Sequence, residues 1–249
     1  MLFIALLGGI LPTVFWLWFW LKEDTLHPEP RGMIILSFLS GMLATAVAYP
    51  VEKEIRDSVL ITVTFSKNFD ITLLFLWSVV EEVFKFLAIY IVTLRSKYFD
   101  EPIDAVLYFV TVALGFAALE NTMFLLNPLA DGDSIATILL GNFRFVGATL
   151  LHVASSGIVG VALALTFYST KSKRRLATAV GLLGAITLHT LFNFSILSSQ
   201  GVYLYDIFIA LWVFILGILL VCERIKKIAP RSHVEYPHTG TIVIPIRTL

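Results

Sequence analysis

The chain has 249 residues, of which 58% are hydrophobic and 14% are charged, and its formal net charge is zero. Soluble globular domains average about 45–50% apolar and about 25% charged residues, so this composition indicates an integral membrane protein. The 18 basic residues form no basic stripe that would predict nucleic-acid binding, and the single cysteine excludes an intramolecular disulfide and a cysteine-rich metal site.

Apolar runs of about 18 or more residues, the length that crosses a bilayer, occur seven times along the chain. The first run has no preceding basic residues and is longer than a typical signal-peptide core, so we interpret it as a span. We predict an all-α, polytopic bundle in the cell membrane. Its spans are residues 2–21, 32–50, 71–94, 103–126, 145–168, 176–197 and 202–222.

The distribution of lysine and arginine predicts how the bundle is oriented. With the N-terminus outside, the cytoplasmic segments hold thirteen of these residues and the outer segments hold four. Basic residues favour the cytoplasmic side, so we predict an outer N-terminus and a cytoplasmic C-terminus. Residues 1–222 would form one transmembrane domain and residues 223–249 a short cytoplasmic tail. Residues 51–70 mix charged and apolar side chains, which predicts a separate surface helix on the bilayer.

The third span contains the stretch "WSVVEEVFKFLAIY", with Glu81, Glu82 and Lys85 near its middle. Each charge at mid-membrane costs about 2.5–3.5 kcal/mol on insertion scales, so such residues normally face a bundle interior and serve a function. On a helix, Lys85 lies one turn from both glutamates. It can therefore pair with either carboxylate and leave the other free to accept a proton.

Three later spans carry polar residues at similar depths. They occur in "GFAALENTMF", "TLLHVASSG" and "TLHTLFNF". At about 1.5 Å per residue, these groups lie about 8–14 Å from the outer ends of their spans, close to the depth of about 15 Å for Glu81 of the third span. We therefore predict one shared hydrated site, with its motifs in residues 78–194, formed by Glu81, Glu82, Lys85, Glu120, His152, His189 and Asn193.

The order of these motifs resembles a known family. "EEVFK", "FAALEN", His152 and "HTLFN" follow one another on successive spans, as in the PrsW family of intramembrane proteases. That family is similar to the CAAX prenyl endoprotease clan, from which this chain departs in two places. Lys85 stands one position before the usual arginine, and Glu120 stands where the prenyl endoproteases have histidine. The resemblance implies an endopeptidase that cuts a single-span membrane protein, such as an anti-sigma factor, near the outer leaflet.

Peptide hydrolysis requires an activated water, donors for the oxyanion and a proton for the leaving amine. We hypothesise that Glu81 is the general base, with Glu82 as the alternative, and that Lys85 holds Glu82. The remaining hypothetical roles are oxyanion stabilisation by His189 and Asn193, and water positioning or proton transfer by Glu120 and His152.

The same residues are compatible with other functions. The predicted mechanism needs no cofactor, but two histidines and several glutamates can also bind zinc, although no His-Glu-x-x-His motif is present. A proton-coupled transporter or channel also uses buried Glu, His and Lys side chains. A structural ion-pair cluster, a retinal Schiff base on Lys85 and a receptor are further alternatives. We interpret Arg144 as snorkelling to lipid headgroups and Cys222 as inert packing.

Overall fold

A computed structural model describes residues 1–23, 28–63, 69–199 and 202–228 of the chain. These residues form helices and the turns between them, and no strand occurs within the described ranges. A π-helical turn, Arg144–Ala148, joins the fifth helix to the sixth. The α-helices are α1 Leu2–Trp20, α2 Arg31–Val63, α3 Phe69–Val92, α4 Pro102–Ala130, α5 Ser134–Phe143, α6 Thr149–Leu165, α7 Lys171–Ser199 and α8 Leu204–Ile225.

The described part of the chain contains six helical stretches that are long and apolar enough to cross a membrane, which confirms the predicted helical membrane bundle. They are α1, Arg31–Val59 of α2, α4, Thr137–Leu165, α7 and α8. The predicted third span corresponds to α3, whose 24 residues are long enough for a bilayer core of about 30 Å. It is absent from the six because Glu81, Glu82 and Lys85 lie in its middle.

The second helix is longer than the sequence predicts. We expected a span over residues 32–50 and a separate surface helix over residues 51–70, but α2 runs without interruption to Val63 with Pro50 inside it. This prediction is wrong because proline removes a single backbone hydrogen bond, which a helix of 33 residues tolerates. Residues 64–68 and most of the predicted tail, residues 229–249, lie outside the described residues.

Helix α4 lies at the centre of the bundle. Every residue from 102 to 118 is buried, and the helix packs against α1, α2 and α6. Gly115 of α4 meets the backbone of Phe38, and Gly41 of α2 meets the backbone of Val112, so closely that an added Cβ would overlap either one. These glycines let the two helices touch along their backbones, as small residues do in membrane bundles. Helix α4 also contacts α3, and its Glu120 lies within hydrogen-bonding distance of His152 of α6.

Candidate active site

Three ionisable residues in the middle of α3 point into the bundle. Glu81, Glu82 and Lys85 are 7%, 2% and 1% exposed. Lys85 Nζ lies 2.8 Å from Glu82 Oε1 and 3.7 Å from Glu81 Oε2. The helical spacing therefore brings the lysine to both carboxylates, as predicted, and the shorter contact is with Glu82.

Glu82 connects three helices through one oxygen. Its Oε1 accepts hydrogen bonds from Lys85 Nζ at 2.8 Å, from Ser155 Oγ of α6 at 2.9 Å and from His189 Nδ1 of α7 at 2.8 Å. An ionised carboxylate has no hydrogen to donate, so His189 Nδ1 carries the proton of that contact. With three donors on one oxygen, Glu82 is well suited to hold the site together.

His152 of α6 bridges the α3 cluster to α4. Its Nε2 lies 2.8 Å from Glu120 Oε2, and its Nδ1 lies 2.7 Å from Lys85 Nζ. An ammonium group has only donors and a carboxylate has only acceptors. The arrangement therefore fits a neutral imidazole that donates from Nε2 to Glu120 and accepts at Nδ1 from Lys85.

Glu81 differs from Glu82 in its surroundings. Its Oε2 is buried and has no hydrogen-bond partner. Three nitrogen atoms surround this oxygen, with His189 Nε2 and Lys85 Nζ at 3.7 Å and His152 Nδ1 at 3.8 Å. These distances are too long for direct hydrogen bonds, and they are short enough for one small bridging species to contact several of the four atoms. Glu81 is therefore the carboxylate placed to act on such a species.

The same atoms form a candidate metal site. Glu81, His152 and His189 each offer a ligand atom, and these atoms lie within 4.8 Å of one another. Two histidines and a glutamate are a known ligand set of catalytic zinc. Each histidine also bonds a carboxylate through its other nitrogen, as metal-binding histidines usually do. The donor set fits zinc, provided that Lys85 moves away from His152 Nδ1.

The cluster opens into a cavity of about 920 Å³, large enough for a peptide segment. Asn193, one helical turn after His189 on α7, lines this cavity. The walls of the cavity also include three charged residues of α2, which are Glu52, Lys53 and Arg56. The phenylalanines that line it are Phe116, Phe124, Phe143, Phe192 and Phe208. Thus six of the seven predicted residues meet in one cluster, and the seventh faces the adjoining cavity.

The interpretation of Arg144 as a headgroup-binding residue is wrong. Arg144 Nη2 donates to Glu120 Oε2 at 2.6 Å, and Arg144 Nε donates to Asn121 Oδ1 at 2.5 Å. The error arose because we placed Arg144 just before a span, whereas it lies within a helical run that begins at Ser134. Its position eight residues before His152, about two helical turns, is the signal that could have revealed it. The structure also adds Ser155, which was not among the predicted site residues.

The fold and the site together define a polytopic membrane protein with an acid–base cluster buried beside a peptide-sized cavity. A family model described as "PrsW family intramembrane metalloprotease" matches residues 29–221. The chain belongs to the PrsW family, and it is accordingly a multi-pass membrane peptidase. No solved structure matches it significantly.

Several bacterial proteins named Protease PrsW are similar to the chain over most of their length. The protein of Geobacillus kaustophilus is 26% identical over 85% of this chain and 88% of its own length. The Bacillus subtilis protein is 24% identical, covering 86% and 93% of the two chains. That of Clostridioides difficile is 28% identical, covering 71% and 72%. These similarities favour the predicted peptidase over the transporter, receptor and retinal-binding alternatives.

Proposed function

We propose that the chain is an intramembrane endopeptidase that hydrolyses a peptide bond of a single-span membrane protein with a water activated by Glu81. One observation carries this proposal. Among the described residues, Glu81 Oε2 is the sole buried side-chain oxygen that lacks a hydrogen-bond partner, and it lies beside the cavity. A buried carboxylate oxygen without a partner can accept a proton from a water that enters from the cavity.

The assignment of the base to Glu81 rather than Glu82 rests on their different partners. Glu82 Oε1 already accepts from Lys85, Ser155 and His189, so the lone pairs of that oxygen are engaged. Glu81 can take the water proton and later deliver it to the leaving amine, which balances the hydrolysis. Lys85, held at 2.8 Å by Glu82, keeps a fixed positive charge 3.7 Å from Glu81 Oε2.

We propose that His189 and Asn193 of α7 stabilise the oxyanion of the tetrahedral intermediate. His189 gives its Nδ1 hydrogen to Glu82, so its Nε2 is the nitrogen that faces Glu81 and the cavity. In its imidazolium form the residue donates from Nε2 as well. Asn193 adds an amide donor one turn along the same helix. Removing one such donor typically costs about 2.7–4 kcal/mol of transition-state stabilisation.

A metal-dependent form of the same reaction is the second candidate, because the donor set of Glu81, His152 and His189 fits zinc. Zinc would supply Lewis-acid polarisation of the water and of the substrate carbonyl. Glu82 and Glu120 would then orient the two histidines. Elemental analysis of protein purified without chelators tests this candidate. Stoichiometric zinc that is lost in His189→Gln supports it, whereas a metal-free and fully active preparation excludes it.

We further propose the topology and the substrate class. The charge distribution supports an outer N-terminus, a transmembrane peptidase domain over residues 1–222 and a cytoplasmic tail over 223–249, with α3 crossing the bilayer as well. In that orientation the cluster lies from mid-bilayer toward the outer face, so cutting occurs near the outer leaflet. The family resemblance supports a membrane-anchored anti-sigma factor as the substrate. A relation to the CAAX prenyl endoprotease clan stays a prediction.

The decisive experiment incubates the purified protein in liposomes with a single-span substrate that carries different tags at its two ends. We expect two complementary fragments from the wild type, none from Glu81→Gln, and wild-type fragments from Glu54→Gln. Glu54 is an exposed carboxylate on α2 and is the matched control. Turnover by Glu81→Gln would remove Glu81 from the role of base. Proton flux across the liposomes without any cleavage would refute the peptidase proposal.

A further inference from the structure

We propose that Arg144 is a positioning residue of this peptidase, which fixes the orientation and the tautomer of His152 by holding Glu120. The inference rests on the proposed function and deepens it, because the hydrolytic mechanism assigns no role to Arg144. It is carried by one shared atom. Glu120 Oε2 accepts from Arg144 Nη2 at 2.6 Å and from His152 Nε2 at 2.8 Å.

The side-chain hydrogen bonds of Arg144 and Asn121 connect three elements. The guanidinium lies on the π-helical turn and uses two donors on one edge, Nη2 toward Glu120 and Nε toward Asn121 of α4. Asn121 in turn donates from Nδ2 to Thr149 Oγ1 of α6 at 3.0 Å. The π-helical turn, α4 and α6 are therefore joined by side-chain hydrogen bonds at the point where His152 enters the site.

The hydrogen bond from Arg144 restrains Glu120, whose side chain borders the cavity. It is 20% exposed, whereas the His152 side chain is 2% exposed. A carboxylate at the edge of a cavity can rotate toward water unless another group retains it. A guanidinium retains it well because its planar arrangement of donors matches fixed acceptors at two points. Arg144 thereby keeps Glu120 turned toward His152.

The tautomer of His152 affects the groups that surround Glu81. Lys85 Nζ contacts His152 Nδ1 at 2.7 Å, so this nitrogen is an acceptor as long as Glu120 holds the ring in this orientation. The opposite tautomer would set an N–H group against an ammonium group. Glu120 secures the required tautomer from the other side by accepting at Nε2. A relay therefore runs from Arg144 through Glu120 and His152 to Lys85.

The surroundings of Arg144 favour positioning over substrate binding. Its Nε–Nη2 edge is used by Glu120 and Asn121, and the guanidinium carbon lies 3.9 Å from the centre of the Phe124 ring. Its side chain is 12% exposed. The residue lies on the π-helical turn, a feature found frequently at functional sites. Arg144 also lines the cavity, but a guanidinium held on one edge and on one face is poorly placed to bind a substrate.

Kinetics on the tagged substrate test the proposal. Removing the hydrogen-bond partner of a metal-binding histidine, the position that Glu120 has beside His152, typically costs about 10–100-fold in metal affinity or activity. We expect Arg144→Met to lose kcat by about that factor with KM unchanged, and Arg144→Lys, which keeps one donor for Glu120, to lose less. Arg175→Met, at an exposed position of α7, is the matched control. A raised KM with unchanged kcat would overturn the proposal, because it would place Arg144 on the substrate.

A double-mutant cycle tests whether Arg144 acts through Glu120. If it does, the double variant Arg144→Met with Glu120→Gln loses no more kcat than Glu120→Gln alone, within about twofold. If the kcat losses of the two single variants multiply in the double variant, Arg144 does not act through Glu120 and the relay is refuted. If Arg144→Met does not accumulate as folded protein, Arg144→Lys enters the same cycle. If the kcat losses of Arg144→Lys and Glu120→Gln multiply in their double variant, the relay is refuted in the same way.

A spectroscopic experiment tests the role of Arg144 independently of peptidase activity. Nitrogen-15 spectra of histidine-labelled protein, with the His152 signal identified by its loss in His152→Gln, report which ring nitrogen carries hydrogen. We expect Nε2–H in the wild type and a mixture of tautomers in Arg144→Met, whether or not any substrate is cut. An unchanged tautomer in Arg144→Met sinks the positioning role. Absence of cleavage with the expected tautomer shift would sink only the peptidase mechanism.

Discussion

The contrast between Glu81 and Glu82 gives the sharpest prediction. Both are buried glutamates on the same helix, and replacing either with glutamine removes one negative charge while keeping the shape of the side chain. Their contacts predict opposite results. Glu81→Gln should leave the protein folded but inactive, whereas Glu82→Gln should destabilise the protein strongly.

The magnitudes follow from the partners that each variant loses. Glu82→Gln leaves Lys85 buried without its close counterion and weakens the bonds from Ser155 and His189. Breaking a buried ion pair by changing one partner costs about 3–5 kcal/mol. For a chain of this size that lowers Tm by about 6–20 °C. Glu81→Gln breaks no hydrogen bond of Oε2, and Lys85 keeps its closer partner Glu82 at 2.8 Å, so the free energy of unfolding should change by less than about 1 kcal/mol.

The assay combines thermal unfolding with turnover in one detergent. Loss of the general base should lower kcat of Glu81→Gln by about 10²–10⁴-fold. Glu54→Gln, measured in parallel, should match the wild type in both quantities. Equal loss of Tm in the two site variants would refute the reasoning, because it would mean that Glu81 has structural partners like those of Glu82. So would an active Glu81→Gln protein with a wild-type Tm.

Three further predictions concern packing, support of the site and topology. Gly115→Ala should destabilise the protein by about 1–3 kcal/mol or more, because its Cβ would overlap the backbone of Phe38, whereas Gly32→Ala, with open space around it on α2, should not lower Tm. Ser155→Ala should cost about 1.5–3 kcal/mol of unfolding free energy by removing a donor to Glu82, with kcat changed less than tenfold. A tag fused to the N-terminus should be cleaved by protease added outside intact cells; protection of that tag would reverse the proposed orientation.

The convergence of the site could be predicted because helix geometry and depth are readable from sequence. The spacing of Glu81 and Lys85 places them on one face, and the observed 3.7 Å contact follows from that spacing. Likewise, residues at similar depths on four helices can meet only if those helices pack together. His152 and His189 do meet, with ring centres 5.3 Å apart.

The individual partners could not be predicted, because they depend on the rotation of each helix about its axis. The sequence favoured Glu81 as the base and kept Glu82 as the alternative, and the approach of Ser155 and His189 to Glu82 now distinguishes the two. Arg144 was misplaced because hydropathy locates the end of a span poorly when helical structure continues beyond the apolar run. The same limitation affected α2, whose charged continuation past Pro50 was predicted as a separate element.

The burial of α4 has a consequence for how the protein is made. Once assembled, this helix is covered by its neighbours, including α6, which follows it in the chain. During synthesis α4 therefore enters the bilayer before one of its main covering surfaces exists, with Glu120 and Asn121 still without Arg144 and Thr149 as partners. Nascent chains that end within α5 should accordingly be recognised by membrane quality control, and the commitment to a stable bundle should come only after α6 has emerged from the ribosome and inserted.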